Sequence, residues 1–237
     1  MDSFDAANEI ATASFAVAAA TKKKVAHSFK MDSKNVPPKA AGSAKEQAKQ
    51  LALTIVQTEM AAASIVSGGK APLDSVLKAA LKILGTTPPI KGAHTSTTDY
   101  TSNLPGSPAK AFDYFVNNPK AVFGAAGLKI RPDTKKLTDG ARLFLEDKGP
   151  PPVFAPIQVK LDKKKREIRI TTLDGHPLRG TNVFSFTAGK NGTTKLVQKS
   201  QFQGSSPLVK VGVTLTGAIE RQHEIWKKVH GHLHKKL

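Results

Sequence analysis

Val153-Phe154-Ala155-Pro156-Ile157-Gln158-Val159-Lys160-Leu161 carries an apolar residue at every odd-numbered position. Side chains alternate between the two faces of a strand, so Val153, Ala155, Ile157, Val159 and Leu161 share one face. The stretch predicts a half-buried β-strand. Asp162-Lys163-Lys164-Lys165 follows as a charged turn, and Ile168, Ile170 and Thr172 then alternate with Arg169 and Thr171 in a second strand. Downstream, Asp174-Gly175 is a turn signal. Val183–Ala188 predicts a strand with Phe184 and Phe186 on one face. Gly189–Gly192 predicts a tight hairpin connection, and 192–203 a last strand with Leu196, Gln198, Ser200 and Phe202 facing one way. Upstream, Ala141–Glu146 and the Thr-rich Thr95–Leu104 also predict strands, the latter suited to a sheet edge. Between these two, Pro108–Val116 predicts a short helix with a proline start, and Ala121–Gly127 a second short apolar segment.

The chain ends in a helical pattern. From about Pro207, Leu208, Val211, Leu215, Ala218, Ile219, Gln222, Ile225, Val229 and Leu233 recur at three- and four-residue steps. Gly212 and Gly217 weaken the start, so the firmer part is 218–233.

Residues 1–92 differ in kind. They are Ala-rich, with 12 Lys, no Arg and 7 acids, a net charge of +5, whereas 93–237 carry +13. Residues 4–20 predict a helix. Ser43 and Glu46 form an S-x-x-E capping box ahead of a helix to about Ser67, which Gly68-Gly69 stops. A third helix has Pro72 in its first turn, one apolar face of Leu73, Val76, Leu77, Ala80, Leu81 and Leu84, and Gly85 at its end. Thr86-Thr87-Pro88-Pro89 reads as a linker. The expected organisation is a helical region over 1–92 and an α+β domain over 93–237.

The element order over 95–237 is strand, two short helices, several antiparallel strands and a long terminal helix. With the Pro108–Asn118 helix and the run Asp174-Gly175-His176-Pro177-Leu178-Arg179-Gly180, it resembles the START-like superfamily of birch-pollen-allergen-like, helix-grip proteins. The resemblance implies a curved antiparallel sheet gripping the last helix, and a cavity between them open to a hydrophobic small molecule or lipid. Its expected lining is Phe144, Ile157, Phe184, Phe186, Gln198, Ser200, Phe202 and Ile225, with Gln198 and Ser200 placed to meet a ligand's polar end. Aromatic residues on strand faces are equally the makings of an ordinary core.

Composition narrows the chemistry. The 237 residues contain no cysteine, which excludes a disulfide scaffold, a thiol nucleophile and a cysteine-ligated zinc. No phosphate loop, dinucleotide fingerprint or G-x-S-x-G elbow occurs, and no cofactor is expected. Four of the seven histidines, His223, His230, His232 and His234, crowd the tail. Only His230 and His234 share a face at i, i+4 spacing, with no acid in that turn to complete a metal site. The expectation for this group is a solvated helix end. His176, in the turn before two strands, is the weak catalytic candidate, and the same ring can instead hold the turn by hydrogen bonding.

Lys and Arg number 36 against 18 acids, a formal +18. Such a chain is drawn to polyanions. The candidate contacts are Lys163, Lys164, Lys165, Arg166, Lys227 and Lys228, toward nucleic acid, anionic lipid or an acidic partner. No stretch predicts a membrane-spanning helix. The N-terminus places Asp2, Asp5 and Glu9 ahead of its apolar run and Lys22–Lys24 after it, the reverse of a secretory signal, so a soluble cytoplasmic protein is expected. Three readings stay open: a small-molecule binder, a basic interaction protein, and an enzyme of the cyclase or hydratase sort.

Overall fold

The computed structural model describes residues 70–89, 91, 96–147, 153–204 and 215–237, together with Lys49 and Thr54. The helix expected over 4–20, all but Lys49 and Thr54 of the one expected over 43–67, and the first residues of the terminal helix lie outside the described residues. The chain divides into two compact units, Met1–Leu84 and Gly85–Leu237. In the first, helix α1 spans Lys70–Ile83. Its predicted face is seen in the buried Leu77, Ala80 and Leu81, while Lys78 and Lys82 are exposed.

The second unit has the helix-grip architecture that the resemblance implied. Its elements are β1 (Ser96–Leu104), α2 (Pro108–Asn117), α3 (Pro119–Gly124), β2 (Leu128–Arg131), β3 (Arg142–Asp147), β4 (Val153–Asp162), β5 (Glu167–Thr172), β6 (Leu178–Ala188), β7 (Thr194–Gly204) and α4 (Leu215–Lys236). The strands form one sheet in the order β1-β7-β6-β5-β4-β3-β2, antiparallel throughout. The last strand thus pairs with the first, and α2 and α3 carry the chain from one edge of the sheet to the other.

Cross-strand register identifies the inner face. Phe184 pairs with Ile168 and Gln198, and Gln198 with Tyr100. One residue pair along, Asn182 lies between Ile170 and Ser200. The inner face is apolar over β3, β4 and β5 (Leu143, Leu145, Ile157, Val159, Ile168, Ile170) and turns polar across β6, β7 and β1. From the other side, Ile225, Trp226, Val229 and Leu233 of α4 join the same core. Phe115 of α2 packs on Phe184, Phe186 and Phe123, with ring centroids 5.1, 6.2 and 5.8 Å away. Phe112 meets Phe186 edge-on at 6.1 Å. At that end the interior is filled by aromatic side chains.

Three local expectations are corrected. Phe144 was expected inside, yet Leu143 and Leu145 take the inner face. Alternation sends the buried Phe144 to the opposite face, beside Pro156 and Arg131. Thr86-Thr87 is no free linker. Thr87 N–H donates to the Thr172 carbonyl at 2.8 Å, and the two hydroxyls lie 2.7 Å apart. The Gly85 N–H donates to the Asp174 carboxylate at 2.6 Å. Strand β6 starts at Leu178, five residues before the expected Val183, because Gly180 admits a close strand pair.

An ion pair fixes α4 against the sheet. Arg221 donates from Nε and Nη2 to the two Asp147 oxygens, at 2.8 and 3.0 Å, and from Nη1 to Glu224 at 3.1 Å. These bonds, the Asp147 bond first, raise the guanidinium pKa. Arg221 is partly exposed, so solvent screens the pair and its contribution is about 1 kcal/mol. Arg221→Met is expected to lower the thermal midpoint by roughly 2–4 °C at low salt and by less in high salt. A salt-independent loss would mean that packing of the side chain, and not the ion pair, holds α4.

Candidate functional site

Burial forces polar groups to find partners. The described residues of the inner face and α4 hold a connected file of them. Ser102 of β1, His230 of α4, Gln198 and Ser200 of β7, and Asn182 of β6 follow one another. Ser102 Oγ lies 2.7 Å from His230 Nδ1, and His230 Nε2 lies 2.8 Å from Gln198 Oε1. Gln198 Nε2 reaches Ser200 Oγ at 3.5 Å, and Ser200 Oγ donates to Asn182 Oδ1 at 3.0 Å. Exposures of 6% for His230, 0% for Gln198, 1% for Ser200 and 2% for Asn182 put four of the five out of reach of bulk water.

The file has one consistent direction when His230 is neutral. Ser102 donates to Nδ1, and Nε2–H donates to Gln198, whose amide oxygen only accepts. Gln198 then donates to Ser200, and Ser200 to Asn182. The Asn182 Nδ2 group at the end of the file has no protein partner. Burial pushes the His230 pKa down to about 4, which keeps the ring neutral near pH 7.

A serine, a histidine and an amide in hydrogen-bonded sequence invite comparison with a nucleophile, its base and an orienting group. The electrostatics oppose that use. A general base works best with a pKa near the operating pH, and burial has moved His230 well below it. Gln198 is neutral and cannot stabilise an imidazolium as a carboxylate does. The arrangement is suited to holding a polar group by hydrogen bonds.

Of the expected lining, Gln198 and Ser200 are in the file, and Ile157, Phe184, Phe186 and Ile225 are in the adjoining core. Phe202 is on the inner face but at the far end of β7, over Gly180 and outside that core cluster. His176 lies in the β5–β6 turn, where Leu178 N–H donates to its Nδ1 at 2.9 Å. Burial lowers its pKa to about 4 as well. Gly175, at φ +86°, supplies the turn's left-handed residue. The Asp174–Gly180 run therefore serves the turn and the strand pair.

The tail histidines correct the expectation of a solvated helix end. His230 is buried in the file, Tyr114 Oη lies 3.1 Å from His232 Nε2, and Tyr100 Oη bonds His223 Nδ1. His234 is exposed. Among the described residues no three His, Cys, Asp or Glu side chains cluster to hold a metal. Sequence reasoning missed His230 and Asn182, although periodicity marked both. His230 is four residues from Trp226 on the buried stripe of α4, and Asn182 falls between Gly180 and Phe184 in a strand buried at every even position from 178 to 186. Lys163, Lys164, Lys165 and Arg166 are exposed in the β4–β5 turn, and Lys227 and Lys228 are exposed on α4. No helix among the described residues is long and apolar enough to cross a membrane.

No protein-family model matches the chain, and no curated protein matches it. Among solved structures it is similar to Ara h 8.0201, at 14% identity over 59% of this chain and 98% of that one, with a TM-score of 0.42. It is also similar to major latex-like protein 151 from Panax ginseng, at 12% identity over 59% and 98% of the two chains, TM-score 0.42. For the protein XoxI from Bacillus cereus the identity is 18% over 59% and 94%, TM-score 0.45. That the 85–237 unit has a helix-grip fold rests on its own strand order and terminal helix.

Proposed function

We propose that the 85–237 unit binds a hydrophobic or amphipathic small molecule between the inner face of its sheet and α4. The observation that carries this reading is the buried polar file beside an otherwise apolar interior. Apolar side chains of the same shape would fold as well or better at these positions, and a buried donor left unmet costs about 1–3 kcal/mol. A ligand's polar end offsets that cost, and its apolar body takes the adjoining surface of β4, β5 and α4. The low pKa of His230 and the neutral Gln198 favour binding over catalysis.

Native mass spectrometry of the full-length protein purified from its source tests the reading. The expected result is a small-molecule mass increment that organic extraction removes. Trp226, the single tryptophan, lies in this interior, so extraction should also shift its emission. A bare mass, with Trp226 emission unmoved by decanol, decanoate or 2-decanone up to their solubility limits, would overturn it.

A further inference from the structure

We infer that the molecule held between the sheet and α4 is uncharged and carries a hydrogen-bond acceptor of the ketone or ester class, met by Asn182 Nδ2 and Trp226 Nε1. The inference rests on the binding reading above and adds the chemistry of the ligand. It starts from two donors that are buried and unpartnered: Asn182 Nδ2 and Trp226 Nε1, in residues 2% and 5% exposed. They belong to different elements, and each residue neighbours Phe184 on the inner face. Trp226 packs edge-on against Phe184, with centroids 5.5 Å apart. Asn182 is two residues from Phe184 on the same strand and the same face. Both groups only donate, because the Asn182 carbonyl is taken by Ser200 and an indole N–H has no acceptor function. The complementary group is an acceptor.

Charge decides which acceptor. On the inner face of the described sheet and on α4, the buried polar residues are Thr, Asn, Gln and Ser and the neutral His230; Arg179 Nε, also buried without a partner, belongs to the opposite face of β6. Arg221, the cation of α4 that reaches the sheet, is bound to Asp147 and Glu224. A carboxylate placed at Phe184 would lose its hydration without gaining a counter-charge. A carbonyl oxygen has two lone pairs for two donors and no charge to bury. Its apolar remainder faces Ile168, Ile170 and Val159.

Three probes of equal carbon number test the inference on the full-length protein: hexanophenone, hexylbenzene and 6-phenylhexanoate. Association constants from Trp226 emission or native mass spectrometry are divided by each probe's octanol–water partition, which removes the hydrophobic contribution. The ketone is expected to bind about tenfold tighter than the hydrocarbon on this scale, as one net hydrogen bond provides. The carboxylate is expected to bind at least about tenfold more weakly than the ketone at pH 7. Asn182→Leu and Trp226→Phe should each shift the ketone-to-hydrocarbon ratio by about threefold toward the hydrocarbon, because the two donors share the tenfold advantage. If a variant fails to fold, the three probes on the unaltered protein still decide. Equal corrected affinities, as when buried water already satisfies both donors, would overturn the inference and leave the binding reading standing. So would tightest binding by the carboxylate. Failure of all three probes to bind would overturn the binding reading, and the inference with it.

Discussion

Gly180→Ala is expected to destabilise the 85–237 unit by at least about 3 kcal/mol, the upper end of the usual overpacking cost. Gly180 pairs with Phe202, three residue pairs in from the end of the β6–β7 ladder. A methyl group there would stand 2.1 Å from the Gln201 carbonyl oxygen and 2.6 Å from Phe202 Cδ1. The ring can turn, but the carbonyl belongs to the backbone of the neighbouring strand. Relief requires prising the two strands apart. Those strands carry Asn182, Gln198 and Ser200, so the polar file would be lost with the register. Gly231→Ala is the matched control. Gly231 lies exposed in α4, where an added methyl meets nothing within 4 Å. There the gain in helix propensity, about 1 kcal/mol, should raise stability. Thermal unfolding of both variants is the measurement. A Gly180→Ala protein with the parental midpoint would show that the strand spacing at Phe202 is wrong.

This contrast also shows why parts of the fold were legible and parts were not. Strands β4 and β5 announce themselves because one face is apolar at every position but Thr172, while the other turns polar from Gln158 in β4 and is polar throughout β5, so period-two alternation is plain. Strand β2 was missed. Leu128–Arg131 is four residues long and holds two cations, and a strand that short carries one cycle of alternation. The beginning of β6 was missed for the opposite reason, since Pro177 and Gly180 count as strand breakers until a neighbouring ring covers the glycine. In α4 the apolar steps found Ile225, Val229 and Leu233, but the buried stripe also includes Trp226 and His230. Reading polar residues as outward-facing is sound where water is the only partner on offer. It fails for His230 and Asn182, because their partners come from strands up to 128 residues away in the chain, and local sequence does not show them. Gln198 and Ser200 were found because they alternate with Leu196 and Phe202.

Acidification is expected to destabilise the 85–237 unit well above the pH at which carboxylates protonate. His230 holds a folded pKa of about 4 against an ordinary 6.5, because burial penalises the charged ring. The unfolded chain therefore takes up its proton near pH 6.5, and the folded protein only near pH 4. Between those values the unfolded state binds more protons, so stability is full above about pH 6.5 and falls as pH drops towards 4. For a single histidine with this shift the loss is about 2 kcal/mol by pH 5 and roughly 3 kcal/mol at its limit. His176 shifts the same way for the same reason. The hydrogen bond from Leu178 N–H opposes the shift, yet the ring reaches the same value, so its share is comparable. Burial also lowers the His232 pKa, with Lys236 adding to the effect, and the ring is only partly enclosed. Carboxylates with ordinary pKa values remain mostly ionised down to about pH 5, which leaves the window from 6.5 to 5 to the histidines. Chemical denaturation at pH 7, 6 and 5 should show the loss. His230→Gln, which keeps an amide to bond Ser102 and Gln198 but does not titrate, should remove about half of it. Stability that stays level from pH 7 to pH 5 would mean that His230 is hydrated in the folded protein. The neutral direction of the hydrogen bonds from Ser102 to Asn182 would then have to be abandoned, and with it the uncharged setting for the ligand's polar end.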